Sequence, residues 1–129
     1  NKHKDVTLLP HIGASTFQAE ENCAVMAVNQ MVDFLENGNI KNSVNFPAVS
    51  MPRASGGCCR ITFANENVSG VLGKVLSVLA DNSINVVDMV NKSRGDIAYN
   101  IIDVENCPLA EVADAICQVE HVINARVLK

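Results

Sequence analysis

Along residues 59–129 the hydrophobic period switches between two and about 3.6 in an order that few topologies accept. CRITFAN (59–65) alternates as a strand. SGVLGKVLSVLADN (69–82) places Val71, Leu72, Val75, Leu76 and Leu79 on one helical face. INVVDMVNKS (84–93) and DIAYNIIDVE (96–105) read as strands joined at Arg94-Gly95, a hairpin signal. PLAEVADAICQV (108–119) puts proline in a first helical turn, and VINARVLK (122–129) closes as a strand. The order strand, helix, strand, strand, helix, strand predicts an α+β fold of the split βαβ, ferredoxin-like kind. Such a fold is an antiparallel sheet of four strands with both helices on one face. Its core is small, and pairing with a second copy through a sheet edge would extend it.

FPAVSMPRASGG (46–57) interrupts every period with Pro47, Pro52, Gly56 and Gly57, and reads as a linker. Ahead of it, VTLL (6–9) is expected to be a short buried strand ended by Pro10, and Ser15 with Gln18 matches a capping box. From Thr16 to about Glu36, Ala19, Cys23, Met26, Ala27, Met31 and Phe34 recur at helical spacing, with Asn37-Gly38 as the stop. At roughly 1.5 Å per residue this helix is about 31 Å long, too long to bury its face against one short strand and SVNF (43–46). The expected organisation is therefore 1–46 as the tail of a larger domain, 47–57 as linker and 58–129 as a domain of its own.

Composition excludes several partner classes. A net charge of −4, one tyrosine, four phenylalanines and no tryptophan offer little to grip phosphate backbones or stack on bases. No apolar run approaches the roughly 20 residues of a membrane span, and no leader pattern opens the chain, so a cytoplasmic setting without nucleic-acid or membrane partners is expected. Five cysteines without C-x-x-C spacing suggest neither a disulfide framework nor a zinc site; reduced thiols and no metal are expected.

Two stretches hold residues suited to chemistry. His11 follows the expected strand, with Gly13 and a helix start behind it, a place where an imidazole can exchange a proton beside a closely approaching ligand. An exposed loop histidine is the alternative. NENVSGVL (65–72) lies between a strand and a helix, where free amide protons near Gly70 favour a carboxylate and the Asn65 and Asn67 amides both donate and accept. Turn and cap roles are the alternative there. Asn85 offers a further amide, able to reach a ligand across a dimer interface. His3 and His121 read as solvated, and the acidic residues form no close pair.

LLPHIGAST, continued through the helix to NGNIKNSVNFP, resembles the end of the catalytic portion of the D-3-phosphoglycerate dehydrogenases, in the D-2-hydroxyacid dehydrogenase superfamily. The resemblance implies a Rossmann-type α/β dehydrogenase domain ending in this stretch. It also implies NAD as cofactor, 3-phosphoglycerate as substrate, His11 as the acid/base, and Ile12, Gly13 and Ala14 as the cofactor-side loop. The dinucleotide fingerprint and the other catalytic groups of that family have no counterpart in these 129 residues, so this chain alone is expected to be inactive. The later pattern, with NENVSGVL, INVVDM and NKSRGDIAYNIIDV, resembles the ACT regulatory domain of the shorter members. That likeness implies homo-oligomers joined through ACT domains and an L-serine or other amino-acid effector at Asn65, Asn67, Gly70 and Asn85. Asn65 and Ser69 depart from one branch of the family, which has histidine and proline there. A stand-alone amino-acid-binding module, or a related 2-hydroxyacid dehydrogenase, are the rival readings.

Overall fold

The structure, a computed structural model, describes residues 5, 7–54, 56–105 and 110–129. Its elements are α1 (Phe17–Asn37), β1 (Cys59–Glu66), α2 (Val71–Asp81), β2 (Val86–Arg94), β3 (Ile97–Val104), α3 (Ala110–Cys117) and β4 (Val122–Leu128). The strands form one antiparallel sheet in the order β2-β3-β1-β4, so β2 and β4 are its edges. This is the ferredoxin-like α+β arrangement that the periods predict.

Strand alternation sorts the central residues to two sides. Ile61 and Phe63 on β1 with Ile102 and Val104 on β3 meet Val75 and Leu79 of α2 and Val112 and Ile116 of α3, forming the helix-side core. The opposite face, which such a fold can leave wet, is also covered. Ile40, Val49 and Met51 pack there on Ala64, Tyr99 and Ile101. Ile40 and Val49 hold this cover together as an antiparallel bridge, with N–H to carbonyl distances of 2.7 and 3.0 Å. Phe46 sets its ring edge-on to Tyr99 with centroids 6.1 Å apart.

Arg60 and Asp103, cross-strand partners on that covered face, are 0% and 1% exposed. Arg60 Nε and Nη2 donate to the two carboxylate oxygens of Asp103 at 2.7 and 2.8 Å. The remaining guanidinium protons go to the carbonyls of Asn37 (2.9 Å), Met51 (2.8 Å) and Pro52 (2.8 Å). Asp103 Oδ2 also accepts from Ala54 N at 3.1 Å. The stretch expected to be a linker is thus pinned, through residue 54, to the sheet that follows it.

Several local expectations are corrected. Thr7, Leu8, Leu9 and Pro10 form no strand, and Leu8 and Leu9 are 74% and 83% exposed; Val6 lies outside the described residues. Among the described residues no neighbouring strand pairs with this segment. SVNF is irregular, its Ser43 Oγ accepting from Phe46 N at 3.1 Å. Thr16, not Ser15, caps α1, its Oγ1 accepting from Ala19 N at 3.1 Å. Gly38 ends the helix at φ 72°, as expected, and its carbonyl accepts from the Tyr99 hydroxyl at 2.9 Å. The α1 stripe expected to pack is exposed at Met26 and Met31, and no α1 residue is buried. The hairpin turns one residue later than expected, at Gly95-Asp96, with positive φ at Gly95. Cys59 is disulfide-bonded, a link that sequence spacing could not show, whereas Cys23 and Cys117 carry free thiols. The expected helix start at Pro108 lies outside the described residues.

Asp103→Ala leaves a buried guanidinium facing no carboxylate. It is expected to lower stability by roughly 3–5 kcal/mol in urea titrations. Arg60→Met combined with Asp103→Leu is expected to recover part of that loss, because neither charge remains buried.

Candidate functional site

The end of β1 and the loop from it to α2 carry three of the sequence-derived site residues to one end of the sheet. Asn65 sits at a bulge where the β1–β4 register shifts, and it is 5% exposed. Its Nδ2 donates to the Glu66 carbonyl at 2.6 Å, and its Oδ1 accepts from Asn100 Nδ2 at 2.8 Å. Asn100 Oδ1 in turn accepts from Asn91 Nδ2. A ligand that engages Asn65 must therefore share an amide already used in a three-strand ladder.

Asn67 is exposed and freer. Its backbone N–H donates to the Asp96 carbonyl at 2.8 Å and its Nδ2 to the Gly95 carbonyl at 3.0 Å, fastening the loop to the β2–β3 hairpin. Among the described residues, Asn67 Oδ1 has no partner. Neither Asn67 nor Ser69 caps α2. The N-cap is Gly70, at φ 89° and without a side-chain cap bond, so the first-turn N–H groups of α2 remain free to meet an anion.

Asn85 lies elsewhere in the same chain. Val86, which follows it, pairs with Val104, and Val104 pairs with Cys59 at the start of β1; Arg94 and Ile97, at the far end, neighbour the Asn67 loop. At about 3.3 Å per residue the two ends of β2 are roughly 25 Å apart. The fold thus gathers Asn65, Asn67 and Gly70 but leaves Asn85 at the other end of an edge strand.

His11 is exposed in a bend closed by Ile12 N donating to the Pro10 carbonyl at 3.0 Å, just ahead of a turn in which Ser15 N donates to the Ile12 carbonyl at 3.0 Å, and its ring has no hydrogen-bond partner among the described residues. Ile12 is 61% exposed, and a Cβ added to Gly13 would meet nothing within 4 Å. Ile12, Gly13 and Ala14 thus form an open turn without a cradle, and the residues present do not fit a bound dinucleotide. A cavity of about 430 Å³ does open between α1 and the covered face of the sheet, lined by Met31, Phe34, Tyr99 and Arg126. Its strongest polar groups are already engaged. Arg126 Nη2 donates to the Phe34 carbonyl at 3.0 Å and its guanidinium lies 4.5 Å from the Phe34 ring centroid, while Tyr99 serves Gly38. Burial pushes the Tyr99 phenol above its ordinary range, so it stays a donor.

Sequence reasoning passed over two groups beside the loop. His121, read as solvated, has Nδ1 2.6 Å from Glu66 Oε2, and Glu66 stands between the two loop asparagines. His121 holds positive φ, a property that no sequence period reveals.

No family model matches the chain. Among curated proteins it is similar to D-3-phosphoglycerate dehydrogenase of Haemophilus influenzae, 37% identical over 82 residues, covering 64% of this chain and 20% of that protein. It is also similar to D-3-phosphoglycerate dehydrogenase 2 of Saccharomyces cerevisiae, 32% identical over 97 residues, covering 73% of this chain and 20% of that protein. The chain spans about a fifth of the length of these curated relatives, at their C-terminal end. Its fold is shared with the regulatory subunit of aspartate kinase from Thermus thermophilus in its ligand-free form. That likeness has a TM-score of 0.51 at 18% identity and covers 64% of this chain and 57% of that one.

Asn65→Ala is expected to cost roughly 1–3 kcal/mol of stability, because it removes the nearer acceptor of the buried Asn100 amide and leaves only the 3.5 Å bond to the Phe63 carbonyl. Asn67→Ala, at an exposed position, is expected to cost under about 1 kcal/mol. Thermal or urea unfolding of the two variants checks the contrast.

Proposed function

We propose that the chain is the C-terminal, ACT-bearing part of a D-3-phosphoglycerate dehydrogenase and that its residues 58–129 form a regulatory module that binds L-serine where two copies meet, a reading supported by its similarity to those enzymes over about a fifth of their length. The observation that carries this reading is the separation of Asn85 from the loop amides along the edge strand β2. A twofold pairing of β2 with its copy runs antiparallel, and so sets the start of one strand against the end of the other. Asn85 of the partner subunit then reaches the loop that holds Asn65, Asn67 and Gly70.

In that site the effector carboxylate lies against the free N–H groups of the first turn of α2, and Asn67 Oδ1 accepts from the ammonium. Asn65 contributes only by sharing its bond with Asn100, which makes it the residue that links occupancy to the sheet interior. Serine favours one mutual arrangement of the two domains by its differential affinity for that arrangement, and the pinned segment 37–54 carries the restraint toward α1.

For the whole protein the proposed activity is NAD-dependent oxidation of 3-phosphoglycerate to 3-phosphohydroxypyruvate, in L-serine biosynthesis. Its proposed divisions are 1–46, 47–57 and 58–129. His11 is the proposed acid/base, with Ile12, Gly13 and Ala14 on the cofactor side. The apolar surface that α1 leaves exposed at Met26, Met31 and Leu35 supports its packing against a further domain. No step of that reaction is assigned to this chain by itself, since its His11 turn does not fit a dinucleotide.

Calorimetric titration of the 129-residue chain tests the regulatory reading. L-Serine is expected to bind, and Asn67→Ala or Asn85→Ala to weaken it by roughly tenfold or more, the equivalent of one lost hydrogen bond in a shielded site. Absence of binding by a chain shown to be dimeric would overturn it. In the whole protein His11→Ala is expected to slow 3-phosphoglycerate oxidation by roughly 10²- to 10⁴-fold.

A further inference from the structure

His121, which precedes β4, holds φ at 71°, in the left-handed region that glycine adopts without steric cost. Two contacts tie this strained residue to the end of β1. Its carbonyl accepts from Glu66 N at 2.9 Å, and its ring Nδ1 lies 2.6 Å from Glu66 Oε2. On the other side of the ring, Nε2 lies 3.6 Å from Glu120 Oε1. Glu120 Oε2 accepts from Lys74 Nζ at 3.2 Å, and Lys74 is in the first turn of α2, its N–H bonded to the Gly70 carbonyl at 3.0 Å. One imidazole thereby stands between Glu66, flanked by Asn65 and Asn67, and the helix end that offers free N–H groups.

We propose that His121 is a positioning residue of the amino-acid site, whose charged ring fixes Glu66 and with it the Asn65–Asn67 loop in the form that accepts an effector carboxylate. This rests on the reading of that loop as the effector site. The charged groups facing the ring are Glu66 at the end of β1 and Glu120 in the turn before β4, with Lys74 of α2 reached through Glu120. The hairpin turn contributes only the Asp96 carbonyl, bonded to Asn67 N.

Imidazole changes charge between about pH 5 and 8. In its charged form it donates to the Glu66 carboxylate through a charge-assisted bond and offsets two carboxylates at a mouth that must admit a third. The Lys74 hydrogen bond and charge, and then the His121 charge, hold the Glu120 carboxyl below its usual range, so it stays ionised throughout this window. When the ring loses its proton, Glu66 keeps a weaker neutral bond and both carboxylates stand unbalanced. Effector binding therefore weakens as pH rises.

The test follows the His121 ring and the backbone amides of Asn65 and Asn67 by NMR as pH is varied, in the 129-residue chain. It is paired with L-serine calorimetry at about pH 6 and about pH 8. Both amides are expected to shift with the midpoint of the ring, and serine to bind several-fold more tightly at the lower pH. His121→Gly, which relieves the left-handed backbone, is expected to keep the fold and abolish both responses, setting them apart from any titration of His11. Amides that ignore the ring, or a His121→Gly chain that keeps its pH-dependent binding, would overturn the proposal. Amides that track the ring in a chain that binds no amino acid at either pH would uphold the positioning and sink the effector reading instead.

Discussion

The buried pair of Arg60 and Asp103 sets the terms for everything on the far side of the sheet. A guanidinium withdrawn from water is tolerable only if all of its protons find acceptors, and two carboxylate oxygens cannot serve them all. The shortfall is met by the carbonyls of Asn37, Met51 and Pro52. These belong to the end of α1 and the irregular stretch after it, so burial of the pair and the fold-back of residues 39–54 are one event. Tyr99 repeats the device with its hydroxyl on Gly38. Two side chains of the sheet thus fasten the exit of α1 through hydrogen bonds.

The molecule separates a closed centre from open ends. Across the middle of β1 and β3 both faces are buried and the polar groups are matched. At the strand ends, amides and charged groups gather where water and a ligand can reach them. Asn65 joins the two regions, since its amide belongs both to the ladder through Asn100 and to the loop. Disturbing it would alter a bond between β1 and β3, which a fully exposed asparagine would not. Asn67 and Gly70 contribute access: one supplies an unused acceptor, the other leaves a helix end uncapped.

The alternation in CRITFAN and DIAYNIIDVE and the helical stripe from Val71 to Leu79 were legible because each reports which face of its own element is apolar, a local property. Gly38 as a helix stop was legible for the same reason: its left-handed conformation follows from the missing Cβ. The loop asparagines and Gly70 could be picked out as candidates, because the strand-to-helix junction is visible in the change of period. His121 could not, since its value lies in a contact with Glu66, 55 positions away in the chain. The cap at Thr16 and the turn at Gly95-Asp96 each fell one residue from expectation, as element ends do when neighbouring polar residues compete for the same role.

Residue order by itself determined the α+β class, the succession of four strands with their two helices, and the separate long helix ahead of them, because periodic burial is written in the chain. Tertiary structure alone decided that residues 39–54 cover the second face of the sheet, that Arg60 is buried rather than solvated, and that Asn85 stands a strand's length from Asn67. Each of these depends on strand register and on irregular backbone meeting distant side chains, and irregular backbone carries no period to be read.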